Sequence, residues 1–207
     1  MSVDRFIIPF DRALRTLFSK PTSARKMPGE DLPEAQMEDD ERQLAAGLMR
    51  VNHTGEICAQ ALYEGQLLAA RKPCVRDLLS RAAKEETEHL AWTERRLEEL
   101  GARKSILDPL FYLGSFALGS MAGALGDRWS LGFLVETERQ VEQHLSSHLD
   151  RLPAADSKSR AIVEQMREDE VNHALSAQSE GGVELPLPIR LAMRAASTVM
   201  TATTRWI

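Results

Sequence analysis

Hydrophobic residues in this chain return every three or four positions, and nowhere do they alternate singly over a run long enough for a strand. That period predicts helices throughout. A first long helix starts at Asp39 or Asp40, either of which can cap it, and ends before Pro73. A second covers about 74–100 and stops at Gly101; a third, mostly apolar, spans about 109–125; a fourth runs from about 128 to 152 and stops at Pro153. Asp156 or Ser157 can cap a fifth, which ends at Gly181-Gly182, and a sixth runs from about Pro188 to the C-terminus. Ahead of these, residues 1–18 carry an amphipathic patch in which Leu14, Leu17 and Phe18 alternate with Arg12 and Arg15. Residues 19–38 place Pro21, Pro28, Gly29 and Pro33 among polar residues and read as a linker. The expected architecture is all-α, with an N-terminal segment and linker over 1–38 and one helical domain over 39–207.

An internal repeat runs through this pattern. Residues 86–89 are Glu-Thr-Glu-His and residues 170–173 are Glu-Val-Asn-His, so Glu-x-x-His occurs late in each of two helical pairs. The partner helix of each pair supplies a single Glu at a similar distance: Glu56, 30 residues before Glu86, and Glu138, 32 residues before Glu170. Positions three, four and seven away from Glu86, Glu138 and Glu170 are mainly apolar, for example Leu79, Ala82 and Leu90 around Glu86, or Leu131, Leu134 and Leu145 around Glu138. Those three carboxylates therefore lie on core-facing stripes. Glu56 has the more polar neighbours Asn52, His53 and Gln60.

Carboxylates on buried stripes are costly unless paired or bound to a cation. Four Glu and two His are compensated together by two divalent metals. Two single Glu and two Glu-x-x-His on four helices form the ligand set of di-iron carboxylate bundles. Carboxylate and imidazole donors suit iron or manganese, and zinc sites use fewer carboxylates and often Cys. Glu85, Glu88, Glu168 and Asp169 fall off the stripes and are expected as solvated helix charges, as are Glu64, Glu94, Glu98 and Glu99. Cys58 and Cys74 are expected to be inert, and Met121, Met166, Met193 and Met200 to serve packing.

Composition narrows the classes. At 207 residues, with 43% hydrophobic and 28% charged positions, the chain can bury a core. The net charge of −5 counts against a nucleic-acid partner, and two cysteines make neither a disulfide scaffold nor a structural zinc site. No secretory leader pattern is visible at the start, and a protein on the cytoplasmic side is expected.

The string RVNHTGEICAQALYEGQ at 50–66, EETEH at 85–89 and EDEVNH at 168–173 resembles the demethoxyubiquinone hydroxylase family of ubiquinone biosynthesis, and the FALGSMAGALGD segment at 116–127 is similar to it too. The resemblance covers about residues 40–207. It implies a ferritin-like four-helix bundle with two irons: Glu56 and His89 on one, Glu138 and His173 on the other, Glu86 and Glu170 bridging. It implies O2-dependent hydroxylation of a polyprenylated 3-methyl-6-methoxy-1,4-benzoquinol at its unsubstituted ring carbon, before a final O-methylation. His144 matches a family position beside the metals, although an ideal helix turns it about 120° away from Glu138. The family often has Tyr next, where this chain has Leu145. His53 is placed to hydrogen-bond Glu56, and His148 is expected to be exposed. The implied partners are the quinol, O2, a lipid surface, and further copies of the chain or other proteins of the same biosynthesis; tail length and reductant stay open.

Residues 109–126 contain no charged residue, with Asp108 and Asp127 on either side. A helix of that length reaches about 27 Å, near the lower limit for a bilayer, but five of its positions are Gly or Pro. A buried crossover is one reading. The other is monotopic: this helix and the C-terminal one form an apolar surface on the cytoplasmic face of the membrane. There Ile189, Ala192, Met193, Ala196, Val199 and Met200 would meet acyl chains, Arg190, Arg194 and Arg205 head groups, and Trp206 the interface. A ferritin-like ferroxidase, a di-iron hydroxylase acting on tRNA, and a metal-free membrane-associated scaffold are the competing functions. The missing basic cluster counts against tRNA.

Overall fold

A computed structural model describes residues 4–207, with side chains from Ile7 onward. It contains seven helices and, among the described residues, no strand: α1 Asp4–Phe18, α2 Asp39–Ala69, α3 Pro73–Glu99, α4 Asp108–Ala124, α5 Asp127–Arg151, α6 Ser157–Ser179 and α7 Leu187–Thr204. The sequence explains their ends. Asp39, Asp40 and Glu41 meet the positive end of the α2 dipole, and the Glu41 carboxylate accepts the Glu38 backbone N–H at 3.1 Å. Pro73 sits in the first turn of α3, and the Asp156 carboxylate accepts the Ser159 N–H at 3.0 Å to cap α6. Gly101 and Gly181 adopt φ of 71° and 96° just past α3 and α6, a conformation that ends helices and suits glycine.

Helices α2, α3, α5 and α6 form the bundle. At one end Leu48, Met49, Trp92, Leu97, Leu145, Ile162 and Met166 make one apolar cluster. At the other Tyr63, Val75, Leu79, Leu131, Leu134 and Ala177 make a second. On every one of the four helices the candidate ligands fall between these two clusters. The order of the clusters along each helix makes α2 antiparallel to α3, and α5 antiparallel to α6.

Helix α4 carries the chain back along the bundle between the two hairpins. It runs beside α2 with backbones almost touching: a Cβ on Gly119 would lie 2.2 Å from the Leu62 carbonyl oxygen, and one on Gly65 2.4 Å from that of Phe116. Only glycine permits this approach. Thr54 Oγ1 donates to Asp108 at 2.7 Å and fixes the start of α4. The crossover is thus half-buried. Its outer side exposes Leu110, Leu113, Leu118, Met121 and Leu125, so Met121, expected to pack, faces outward. Helix α1 lays Ala13 and Leu17 against Ile57, Ala61, Leu90 and Tyr112 and exposes Ile7, Phe10, Leu14 and Phe18.

Residues 19–38 lie against the bundle as a strap. Met27 enters the first apolar cluster. Glu34 forms a two-oxygen pair with Arg96, at 2.8 and 2.9 Å. Arg96 is wholly buried and also donates to Asp156 at 2.9 Å. Helix α7 is attached differently. Thr204 is its one buried residue, and Met193, Ser197 and Met200 are half-buried while Ile189, Ala192, Ala196 and Val199 face out. The apolar stripe expected there is divided between the bundle and the outside. No helix among the described residues is long and apolar enough to cross a membrane.

Candidate metal centre

The six residues singled out by the repeat meet at the centre of the bundle. Glu86 and His89 are fully buried, Glu138 and Glu170 are 1% exposed, Glu56 3% and His173 7%. Donor atoms of Glu56, Glu86, His89 and Glu170 all lie within 4.8 Å of one another, and so do those of Glu86, Glu138, Glu170 and His173. The two sets share Glu86 and Glu170, the carboxylates of the two Glu-x-x-His motifs. Each motif works because residues three apart lie on one helix face.

Both imidazoles have the same orientation. His89 Nδ1 faces inward, 3.3 Å from Glu86, 3.5 Å from Glu56 and 3.6 Å from Glu170. His173 Nδ1 lies 3.1 Å from Glu170 and 3.2 Å from Glu86. The outer nitrogens are each held by a carboxylate from the opposite motif helix: His89 Nε2 by Asp169 at 2.9 Å and His173 Nε2 by Glu85 at 2.8 Å. A carboxylate on the outer nitrogen fixes the tautomer and leaves the inner nitrogen free to bind a metal. Asp169 and Glu88 are therefore not solvated charges. Both are buried, and Arg25 of the strap pairs with both. Glu85 is about half exposed but has a specific partner. The helical stripe missed these residues because they face a neighbouring helix rather than the bundle axis.

Electrostatics mark the centre as a site for cations. Burial, and then the charge of Glu86, push the Glu56 carboxyl well above the usual carboxylate range. Burial, with Glu170 and Glu86, does the same to Glu138. Burial also works against charge on Glu86, but hydrogen bonds with Glu56, His173 and His89 prevail and hold it well below that range. Burial opposes protonation of His89, and hydrogen bonds to Asp169, Glu170, Glu56 and Glu86 override it, raising the imidazole far above its ordinary value. His173 is raised in the same way by Glu170, Glu85 and Glu86 against burial. Protons thus stand where positive charge is needed. Glu56 Oε2 is buried without a hydrogen-bond partner, a lone acceptor aimed at that same centre. An all-carboxylate-and-imidazole donor set with two shared carboxylates fits a pair of divalent metals of the iron or manganese kind.

Other neighbours differ from the sequence expectation. Tyr63 is buried and its hydroxyl donates to Glu138, with Glu86 at 3.5 Å; it lies two turns after Glu56, on the same stripe, and that spacing was its signal. His53 turns to Asp108 and Glu94, at 3.5 and 3.8 Å, and not to Glu56. Glu64 is buried beneath Tyr112, which donates to it at 2.6 Å. His144 is outside both donor sets; its ring lies 3.9 Å from that of His148, beside Arg194, Ser197 and Thr201 of α7. His148, expected on the surface, is buried.

A cleft of about 450 Å³ lies between α1 and the α2–α3 pair, with Arg12 and Arg15 of α1 on one wall and Gln60, Ala83 and Thr87 on the other; none of the six donors lines it. The Gln60 amide donates to the Ala83 carbonyl at 2.6 Å and to Thr87 Oγ1 at 2.7 Å. It lies one helical turn from Glu56, and Thr87 directly follows Glu86.

The family model described as ubiquinone biosynthesis protein COQ7 matches residues 43–204. Proteins named 3-demethoxyubiquinol 3-hydroxylase are similar over nearly the full chain. That of Nitrosospira multiformis is 60% identical over 206 residues, covering 100% of this chain and 99% of its own. That of an Azoarcus species is 63% identical over 198 residues, 96% of each chain. That of Nitrosomonas europaea is 58% identical over 207 residues, 100% of each. A match over most of the bundle, with the paired carboxylate–imidazole sets at its centre, makes this chain a member of the COQ7 family of ubiquinone biosynthesis proteins.

Proposed function

We propose that the protein is a di-iron monooxygenase that hydroxylates the ring of a polyprenylated demethoxyubiquinol, the activity its relatives are named for. The observation that carries this reading is the pair of four-donor sets sharing Glu86 and Glu170. In it Glu56 and His89 would hold one iron and Glu138 and His173 the other, with Glu86 and Glu170 available to both. Two irons bound there would supply activation of O2, with one oxygen atom going to the ring and the other to water at the expense of two electrons from a reductant.

The chain's own residues provide the setting. The apolar clusters on either side of the centre keep bulk water out, which strengthens every charge interaction inside. Burial, with the charges of Glu138, Glu86 and Glu170, raises the Tyr63 phenol well above its ordinary range. Tyr63 therefore keeps its proton and holds Glu138 in place. The cleft under α1 is the opening we assign to the quinol ring, with the Gln60 amide as the side chain that must yield. The apolar outer faces of α1 and α4, together with the C-terminal helix, would rest on lipid and keep the tail there as the ring enters. This makes the protein peripheral at the cytoplasmic membrane face.

Turnover of a demethoxyubiquinol under ¹⁸O2 tests the chemistry. Incorporation of one labelled atom into the ring, dependent on iron and reductant, is the expected outcome; an unlabelled hydroxyl, or iron oxidation without ring product, would favour the ferroxidase reading. For the surface, Leu113→Ser with Met121→Ser should weaken co-sedimentation with anionic vesicles, and unchanged binding would remove α4 from the lipid face.

A further inference from the structure

The strap spends most of its contacts on the far end of the bundle, but one of its residues is aimed at the metal centre. Arg25 lies with its guanidinium carbon 4.7 Å from the centre of the Trp92 ring. Its Nε donates to Glu88, and a terminal nitrogen pairs with Asp169 Oδ2 at 2.9 Å. That same Asp169 oxygen holds His89 Nε2 at 2.9 Å. Glu88 and Asp169 are both buried, so without Arg25 the two carboxylates would keep only His89 and the Gln165 amide, which donates to Asp169 Oδ1 at 3.1 Å, as partners. The other half lacks this arrangement. His173 is held by Glu85, whose side chain is 44% exposed and which has no Arg or Lys within ion-pair distance among the described ion pairs.

We infer that Arg25 is a positioning residue for the metal centre: through Asp169 it fixes the orientation of His89, so that the Glu56–His89 half is preformed and binds its metal more tightly than the Glu138–His173 half. The inference rests on the di-iron reading and deepens it. A planar guanidinium stacked on an indole and forked between two carboxylates holds both in one geometry, which an ammonium cannot reproduce. Because the strap supplies the guanidinium, metal binding and docking of residues 19–38 are thermodynamically linked, and each favours the other.

Cobalt(II) titration of the metal-free full-length chain, followed by calorimetry and by the visible bands of bound cobalt, reads this directly. Wild type should show two classes of site. Arg25→Gln should weaken the tighter class by up to about 10-fold, the low end of the loss when a ligand's own outer partner is removed, and leave the weaker class within about twofold. Arg25→Lys should recover part of the loss. Ser23→Ala removes a different strap contact, the hydrogen bond from Trp92 Nε1 at 3.1 Å, and should change neither class. Cobalt should also slow hydrogen exchange of residues 19–38 in wild type but not in Arg25→Gln. Equal affinities in Arg25→Gln and wild type, or equal loss from both classes, would overturn the inference and leave the metal reading standing. A wild-type chain that binds no cobalt would overturn both.

Discussion

The hairpins α2–α3 and α5–α6 carry the same donors and are enclosed in different ways. Each brings one Glu and one Glu-x-x-His to the centre, and each turns its His Nδ1 inward. Around the first hairpin lie α4, locked to α2 through Gly65 and Gly119, then α1 and the strap. The strap also reaches α6, where Gly29 packs on Lys158 and Ala161, and α7, with a single buried residue, lies across α5 and α2, where Arg50 donates to the Arg205 carbonyl at 2.8 Å. His89 is sealed, and its outer partner Asp169 is buried; His173 leans on the half-exposed Glu85. The repeat therefore supplies the donor set, while the segments outside it decide how rigid and how dry each half is. A duplicated motif with unequal surroundings gives two inequivalent donor sets.

Removing a shared carboxylate should have the largest effect. Glu170→Ala or Glu86→Ala takes a donor from both sets and is expected to empty both positions and reduce turnover by at least about 100-fold, beyond the loss usual for an outer partner. Glu138→Ala takes a donor from one set and should leave the other metal bound. Metal content per chain after dialysis distinguishes these. If Glu138→Ala and Glu170→Ala lose metal equally, the halves do not act separately.

Acidity gives the next effect. His89, His173, Glu56 and Glu138 all have raised affinity for protons in the folded chain, and a metal must displace those protons. Metal affinity should rise with pH by about tenfold per pH unit for each proton displaced. Calorimetry in two buffers of different ionisation enthalpy counts the protons released. The same shifts make the metal-free chain more stable as pH falls, since a raised folded pKa contributes stability that is lost as pH climbs through it. Metal should therefore stabilise most at the alkaline end.

Glu85→Gln probes the less enclosed half and should cost less. If Glu85 and Glu88 were solvated charges, changing either to Gln would leave metal content near wild type. The contact between Glu85 and His173 instead predicts a several-fold weaker second metal, with the first unchanged. An equal effect on both would mean that the outer carboxylates act on the centre as a whole.

What was legible in the sequence is what periodicity encodes. The six donors share one inward stripe per helix, and helix ends carry local signals such as Asp156, Pro73 and Gly101. Partners that face sideways carry no such signal. Asp169 and Glu88 look like surface charges until α3, α6 and the strap are brought together, and Arg25 lies in a Pro-rich stretch with no period at all. His144 and His148 show the same limit. They point at α7, and only the packing of that last helix decides whether they are wet.

That packing sets up the smallest predicted effect. Burial, then Arg151, lowers His144 to about 4; burial, then His144, Arg151 and Arg205, lowers His148 to about 2. A histidine whose folded pKa is depressed binds fewer protons than it does in the unfolded chain. Its contribution to stability is intact above the unfolded value of about 6.5 and is lost progressively as pH falls below it, down to the folded value. Deleting residues 187–207 removes Arg205 and exposes the pair, so both imidazoles should titrate closer to the unfolded value and this acid sensitivity should shrink. Because α7 buries so little, the truncated chain should keep its metal and melt only a few degrees lower at pH 7. Between pH 6.5 and 4 its melting temperature should fall less steeply than that of the full chain, a difference in which contributions from the metal centre cancel. If the two chains lose stability in parallel over that range, α7 does not keep the pair dry, and the second hairpin is enclosed without its help.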